Sequence, residues 1–122
     1  NSHATTLTQV IEQEKKMRGL KLAMLIAFLS GSAVAFAAET TIRQKARLFS
    51  PNEVTIKKDD TLLFLNDDNI ANNVYSSAAG NQFNLGAIAP GNSTPVTFKT
   101  TGTVEILCAI HPAMKMSVRV TD

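Results

Sequence analysis

Near its C-terminus the chain reads Cys108-Ala109-Ile110-His111-Pro112-Ala113-Met114, a thiol, an imidazole and a thioether within one short stretch. Soft sulfur donors suit Cu(I) and imidazole serves both Cu(I) and Cu(II), so this donor set points to copper. Cys108 is the single cysteine, which excludes an internal disulfide. Each residue alone has a plainer use: cysteine at the end of an apolar strand as a small buried hydrophobe, methionine as core filling. Their joint spacing turns the reading toward a metal. Cys108 and His111 can also imitate a thiol–imidazole catalytic pair, but no nucleophile and base elsewhere have a recognisable spacing, and the chain does not read as an enzyme. Asp67-Asp68-Asn69 gathers oxygen donors, yet such runs are ordinary turn chemistry. No glutamate closes a calcium loop of EF-hand type around them.

The elements that position these residues begin well inside the chain. Met17-Arg18-Gly19-Leu20-Lys21 is a basic start, Leu22 to Leu29 an apolar run, and Ala35-Phe36-Ala37 a small-x-small site with the cut before Ala38. This is the layout of a secretory signal, which predicts a signal or hydrophobic helix ahead of the folded part and a periplasmic or otherwise exported product. The run is shorter than the roughly 20 residues of a membrane span, so a membrane role arises only if the segment is retained as an anchor through Ala38. Residues 1–16 are polar and read as an upstream leader or an artefact of expression, 17–37 as the signal peptide, and 38–122 as the domain. His3 falls in the leader and is set aside as a ligand. In an exported chain an unpaired thiol is a liability, which strengthens a role for Cys108.

Of the 12 Lys/Arg and 10 Asp/Glu, four bases and two acids precede Ala38, leaving the domain formally neutral. A nucleic-acid partner, which needs a basic face, is excluded on that ground. From Ala38 onward turn signals recur at short intervals. Thr41–Leu48 reads as a strand broken by Phe49-Ser50-Pro51-Asn52. Val54 and Ile56 alternate with polar residues, and Thr61–Leu65 has the nearly continuous apolar character of a central strand. Val74-Tyr75-Ser76 is a short extended piece, Phe83 and Leu85 pack inward from a loop, and Pro95–Phe98 alternates. Val104, Ile106 and Cys108 share one face, with Glu105 and Leu107 on the other, and Met116, Val118 and Val120 alternate in a closing strand. Short strands at this spacing indicate an all-β sandwich or barrel.

The segments Phe49–Lys57, Asp60–Asp68, Asn73–Ser76, Ala89–Gly91 and Cys108–Met116 resemble the cupredoxins, small blue-copper electron carriers. The likeness is to the amicyanin and plastocyanin-like group, including short periplasmic proteins of methylamine-utilisation type. It covers essentially all of residues 38–122. The resemblance implies a Greek-key β-sandwich with its metal loops at one end and one copper of type 1. Carried over by residue, Cys108 is the thiolate ligand, His111 the imidazole of the C-terminal loop and Met114 the weak axial thioether. Met116 is a rival for the axial place, although it also fits the inward face of the closing strand. Asn73 matches the asparagine that braces the two ligand loops. Where the family has its first histidine, this chain has Asn72, and no other histidine lies between Ala38 and Cys108.

An asparagine carbonyl is a hard, weak donor toward copper, so the change is expected to weaken Cu(II) more than Cu(I) and to raise the reduction potential. The resulting expectation is an exported monomer that carries single electrons and docks redox partners transiently near His111, over an apolar rim of Ile110, Pro112 and Ala113. The alternative is a copper-free or Cu(I)-only module of the same fold, acting as carrier, chaperone or partner-binding domain.

Overall fold

The computed structural model describes residues 7–18, 31–33 and 36–122. His3, the apolar run Leu22–Leu29 and Ala35 of the cleavage site lie outside the described residues. The chain divides into two units, 1–35 and 36–122. In the first, residues 7–18 form an exposed helix, a structure the polar leader reading did not assign. Among the described residues no helix is long and apolar enough to cross a membrane.

The second unit is all-β. Its strands are β1 (Glu39–Lys45), β2 (Leu48–Ser50), β3 (Glu53–Lys57), β4 (Thr61–Asn66), β5 (Asn72–Ser76), β6 (Phe83–Ile88), β7 (Ser93–Thr97), β8 (Gly102–Leu107) and β9 (Lys115–Thr121). They form a four-stranded sheet in the order β2-β1-β4-β7 and a five-stranded sheet in the order β3-β9-β8-β5-β6. Neighbours distant in sequence, β1 with β4 and β3 with β9, run parallel. The result is the Greek-key sandwich, with mixed rather than purely antiparallel sheets.

Period-two patterning explains which faces meet. β8 buries Val104 and Ile106 and exposes Glu105, while β9 buries Met116, Val118 and Val120. β4 sits between β1 and β7, and beneath its buried Leu62 and Phe64 the outward Leu63 and Leu65 remain half-buried, which accounts for the apolar run. Phe49, Phe64, Phe83 and Phe98 form a line of ring contacts with centroids 6.3, 6.4 and 6.0 Å apart. Offset and edge-on pairs at this spacing add to plain area burial.

Two sequence expectations need correction. The single strand over Thr41–Leu48 is two strands: Ala46 and Arg47 take φ of 53° and 58°, and β2 folds back antiparallel on β1. Consecutive left-handed residues make the tight hairpin turn usually flagged by Asn-Gly, and here no glycine announces it. Asp68 holds this turn by accepting the Ala46 N–H at 2.6 Å. Phe83 and Leu85 pack inward from a strand rather than a loop, because β6 pairs with β5 along the sheet edge.

Asp60 ties the start of the domain to the β3–β4 turn, accepting the Lys57 and Ala38 backbone N–H groups, each at 2.9 Å. These bonds, the Lys57 one foremost, hold its carboxyl below the ordinary 3.8, assisted by the Lys57 charge and opposed by partial burial. A depressed native pKa means that the unfolded chain binds more protons as the solution is acidified. The stability Asp60 contributes is therefore complete above its unfolded value and is lost as pH falls through the lower native value. Asp60→Asn is expected to flatten stability against pH below about pH 4 and to be less stable than wild type at neutral pH. Urea unfolding across a pH series reads both effects.

Candidate metal centre

The centre is assembled where β5 and β8 part. These strands share one register pair, Tyr75 with Leu107, and beyond it the backbone ladder gives way to side chains. The Asn73 N–H donates to Cys108 Sγ at 3.3 Å, and Asn73 Oδ1 accepts the Ala109 N–H at 3.0 Å. Asn73 Nδ2 donates to Asn84 Oδ1 at 2.9 Å and to the Gly86 carbonyl at 2.8 Å. One side chain thus ties the end of β5 to both the metal loop and β6. Gly86 takes φ of +67°, and the register slips by a bulge between Asn73 and Tyr75. The extra residue lies on the β6 side, at Leu85-Gly86, and opposite it Asn73 is buried along with Asn72 and Val74, a departure from strict alternation.

The loop after β8 is a compact turn. Met114 N–H donates to the His111 carbonyl at 2.9 Å, and Cys108 N–H to the Met114 carbonyl at 3.3 Å. Cys108 and Met114 are each 1% exposed, and His111 is half-buried. The loop thus holds thiol, imidazole and thioether together in a shielded turn. Met116 stands in β9 opposite Ile106, on the face with Val118 and Val120, and belongs to the core packing. Leu107 is half-buried beside Tyr75, and Ile110 is 47% exposed next to His111.

Asn72 is fully buried and meets the imidazole: its Oδ1 lies 3.0 Å from His111 Nδ1. Its Nδ2 donates to Asn66 Oδ1 at 3.1 Å and Asp68 Oδ2 at 2.8 Å. Asn66 is itself saturated, donating to the carbonyls of Ile70 and Ile88 and accepting the Asp68 N–H. From the opposite sheet, buried Gln44 donates through Nε2 to the Asn73 carbonyl at 3.2 Å, and its Oε1 has no protein partner. Asp67 faces Arg43 and Lys45, and Asp68 is occupied by Ala46 and Asn72, so the acidic turn is structural.

Gln44, Asn66 and Asn84 were not singled out from sequence, and Asp68 was read only as turn chemistry. For two of them a signal was present: Gln44 and Asn66 stand at inward positions of alternating strands, after Ile42 and after Leu62 and Phe64. A polar residue on a core face requires partners.

Among the described residues no three His, Cys, Asp or Glu side chains cluster to hold a metal ion. Any centre here must draw on thioether sulfur or amide oxygen beside Cys108 and His111. The buried sulfurs and the imidazole fit copper by their softness. The Asn73 N–H aimed at Sγ shows the sulfur acting as an acceptor within the site.

A model of copper-binding proteins of the plastocyanin/azurin family matches residues 36–121. The chain belongs to that family. Copper is its cofactor, a single ion, and cupredoxins of this kind are electron carriers. The fold is similar to a purple cupredoxin from Nitrosopumilus maritimus, with 22% identity and a TM-score of 0.61 over 67% of this chain and 99% of that one. It is also similar to a reduced tryptophan-to-tyrosine mutant of amicyanin, with 23% identity and a TM-score of 0.63 over 71% of this chain and 85% of the other. A copper-containing nitrite reductase from Thermus scotoductus SA-01 matches with a TM-score of 0.66 and 22% identity over 75% of this cupredoxin, which spans 24% of that longer chain. A comparison with curated protein sequences found no match.

Removing the Asn73 side chain of this cupredoxin strands the Ala109 N–H and the Gly86 carbonyl. These bonds are only part-buried, and a typical hydrogen bond contributes about 1 kcal/mol net, so Asn73→Ala is expected to lose about 1–2 kcal/mol, read by chemical denaturation of the metal-free protein.

Proposed function

We propose that this cupredoxin is an exported single-electron carrier in which Cys108, His111 and Met114 hold copper and Asn72 stands in place of a second imidazole. The observation that carries the reading is the Asn73 brace, which ties the start of β5 to Cys108 and Ala109, at the head of the turn that holds His111 and Met114. When bound, copper would supply one-electron redox chemistry. The chain's part is to keep the donors fixed: the Asn73 N–H hydrogen-bonds the Cys108 sulfur, and burial of Cys108 and Met114 excludes water from both sulfurs. The sequence motifs favour the amicyanin-like, methylamine-utilisation branch of the family.

Partners are redox proteins that dock transiently on a monomer around His111, where exposed Ile110, Pro112 and Ala113 offer a small apolar rim. Export through a signal at 17–37 and a cut before Ala38 is consistent with the Ala38 N–H lying 2.9 Å from Asp60 Oδ1. Cleavage there would turn that hydrogen bond into an ion pair with the new α-ammonium. Mass spectrometry of the exported form checks this, with a mature chain beginning at Ala38 as the expected result.

A second reading, a Cu(I)-only or copper-free module, draws on one observation. Asn72 and His111 satisfy each other without any metal, through the contact between Oδ1 and Nδ1 at 3.0 Å. Copper titration with visible absorption and EPR decides between the two. Electron transfer requires a thiolate-to-copper band in wild type, absent in Cys108→Ser and strengthened by added imidazole. Asn72→His is expected to tighten Cu(II) binding by at least about tenfold, since even outer groups around a metal ligand are worth 10–100-fold. A band in Asn72→His and none in wild type selects the second reading.

A further inference from the structure

The amide of Asn72 can face His111 in two ways, presenting oxygen or nitrogen, and its neighbours decide which. Asn66 Nδ2 donates to two carbonyls, Ile70 and Ile88, each at 2.8 Å, and Asn66 Oδ1 accepts the Asp68 N–H at 2.9 Å. Carbonyls only accept and a backbone N–H only donates, so the Asn66 amide has one possible orientation. Its Oδ1 then faces Asn72 together with Asp68 Oδ2. Both are acceptors when Asp68 is ionised, and both require the nitrogen of Asn72. A reversed amide would set oxygen against two oxygens in a buried site, where unpaired polar groups are costly. Asp68 is in turn anchored by the Ala46 N–H on its other oxygen.

We propose that Asn66 and Asp68 are positioning residues that clamp the Asn72 amide with its oxygen toward the metal centre. This inference rests on the copper reading for its consequence, though not for the clamp itself. Without metal, Asn72 Oδ1 can only accept, so His111 Nδ1 must carry the proton and the neutral ring leaves Nε2 bare. With copper present, the same clamp offers the ion a fixed carbonyl oxygen instead of an amide that turns either way. Position 72 is thereby a built oxygen donor, supported by neighbours as ligand positions are. If copper is held at His111, the Asn72 carbonyl oxygen would already be aimed beside the imidazole.

The test is long-range proton–nitrogen NMR of the metal-free full chain in alkaline buffer, with His3→Gln removing the other histidine. Wild type is expected to show one His111 tautomer, protonated at Nδ1. The isosteric Asp68→Asn must lose either its bond to Asn72 or its bond to Ala46, and is expected to lose the single-tautomer pattern while circular dichroism reports an intact sandwich. A wild-type ring protonated mainly at Nε2 overturns the clamp, whatever the variant does. A folded Asp68→Asn with an unchanged His111 spectrum overturns the part assigned to Asp68. EPR of the Cu(II)-loaded pair reads the donor role: one species in wild type and a mixture in Asp68→Asn support it, and one identical species in both overturns it. If neither wild type nor Asn72→His takes up copper, the copper reading and the donor role fall together, and the tautomer still decides the clamp.

Discussion

Everything at the metal end depends on how β5 and β8 separate. Adjacent strands normally bind through their backbones, and a pair that opens after a single register position leaves polar groups without partners. The Asn73 side chain takes over: it supplies an acceptor to the departing loop and two donors to the neighbouring edge strand, while its own N–H turns to sulfur. The strand bulge is the backbone's accommodation to that substitution. Alternation places Asn72 inward with Val74 and Ser76, fully buried against His111, and the residue out of pattern is Asn73, which alternation would send outward and which is buried as well.

Much of this was legible in the sequence. The inward sets Val104–Ile106–Cys108 and Met116–Val118–Val120 follow directly from period-two patterning, and both are buried as read. The separate duties of Met114 and Met116 could be argued too, because one falls before the closing strand and the other inside it. The β1–β2 hairpin could not: its left-handed residues are an alanine and an arginine, held by a carboxylate from a distant turn. β6 was obscured for a similar reason, since an edge strand interrupted by Gly86 carries a weak pattern.

At the candidate centre, sequence supplied the residues proposed as metal ligands but not the polar side chains around them. Cys108, His111 and Met114 announce themselves by chemistry and spacing. Asn66 and Asp68 look like the polar close of a strand and a solvated turn. Their importance comes from orientation, which depends on which carbonyls they reach across the fold. Asn72 was legible as a departure from the family pattern, whereas its burial and full set of partners belong to tertiary structure. Gln44 is comparable, an inward glutamine on β1 that reaches the back of the Asn73 peptide from the other sheet.

The parallel pairing of β3 with β9 has a consequence for how the molecule comes into being. Glu53 lies beside Ser117 and Lys57 beside Thr121, so an early strand finds its neighbour only in the last residues of the chain. β9 also separates β3 from β8 within the larger sheet. Until β9 is in place, β3 is an unpartnered ribbon and the sandwich cannot close. Non-local pairings of this kind form late and slowly, because loop-closure entropy is spent before contacts return it. Closure of the larger sheet is thereby deferred until β9 joins it, and up to that point β3 has no backbone partner in its own sheet.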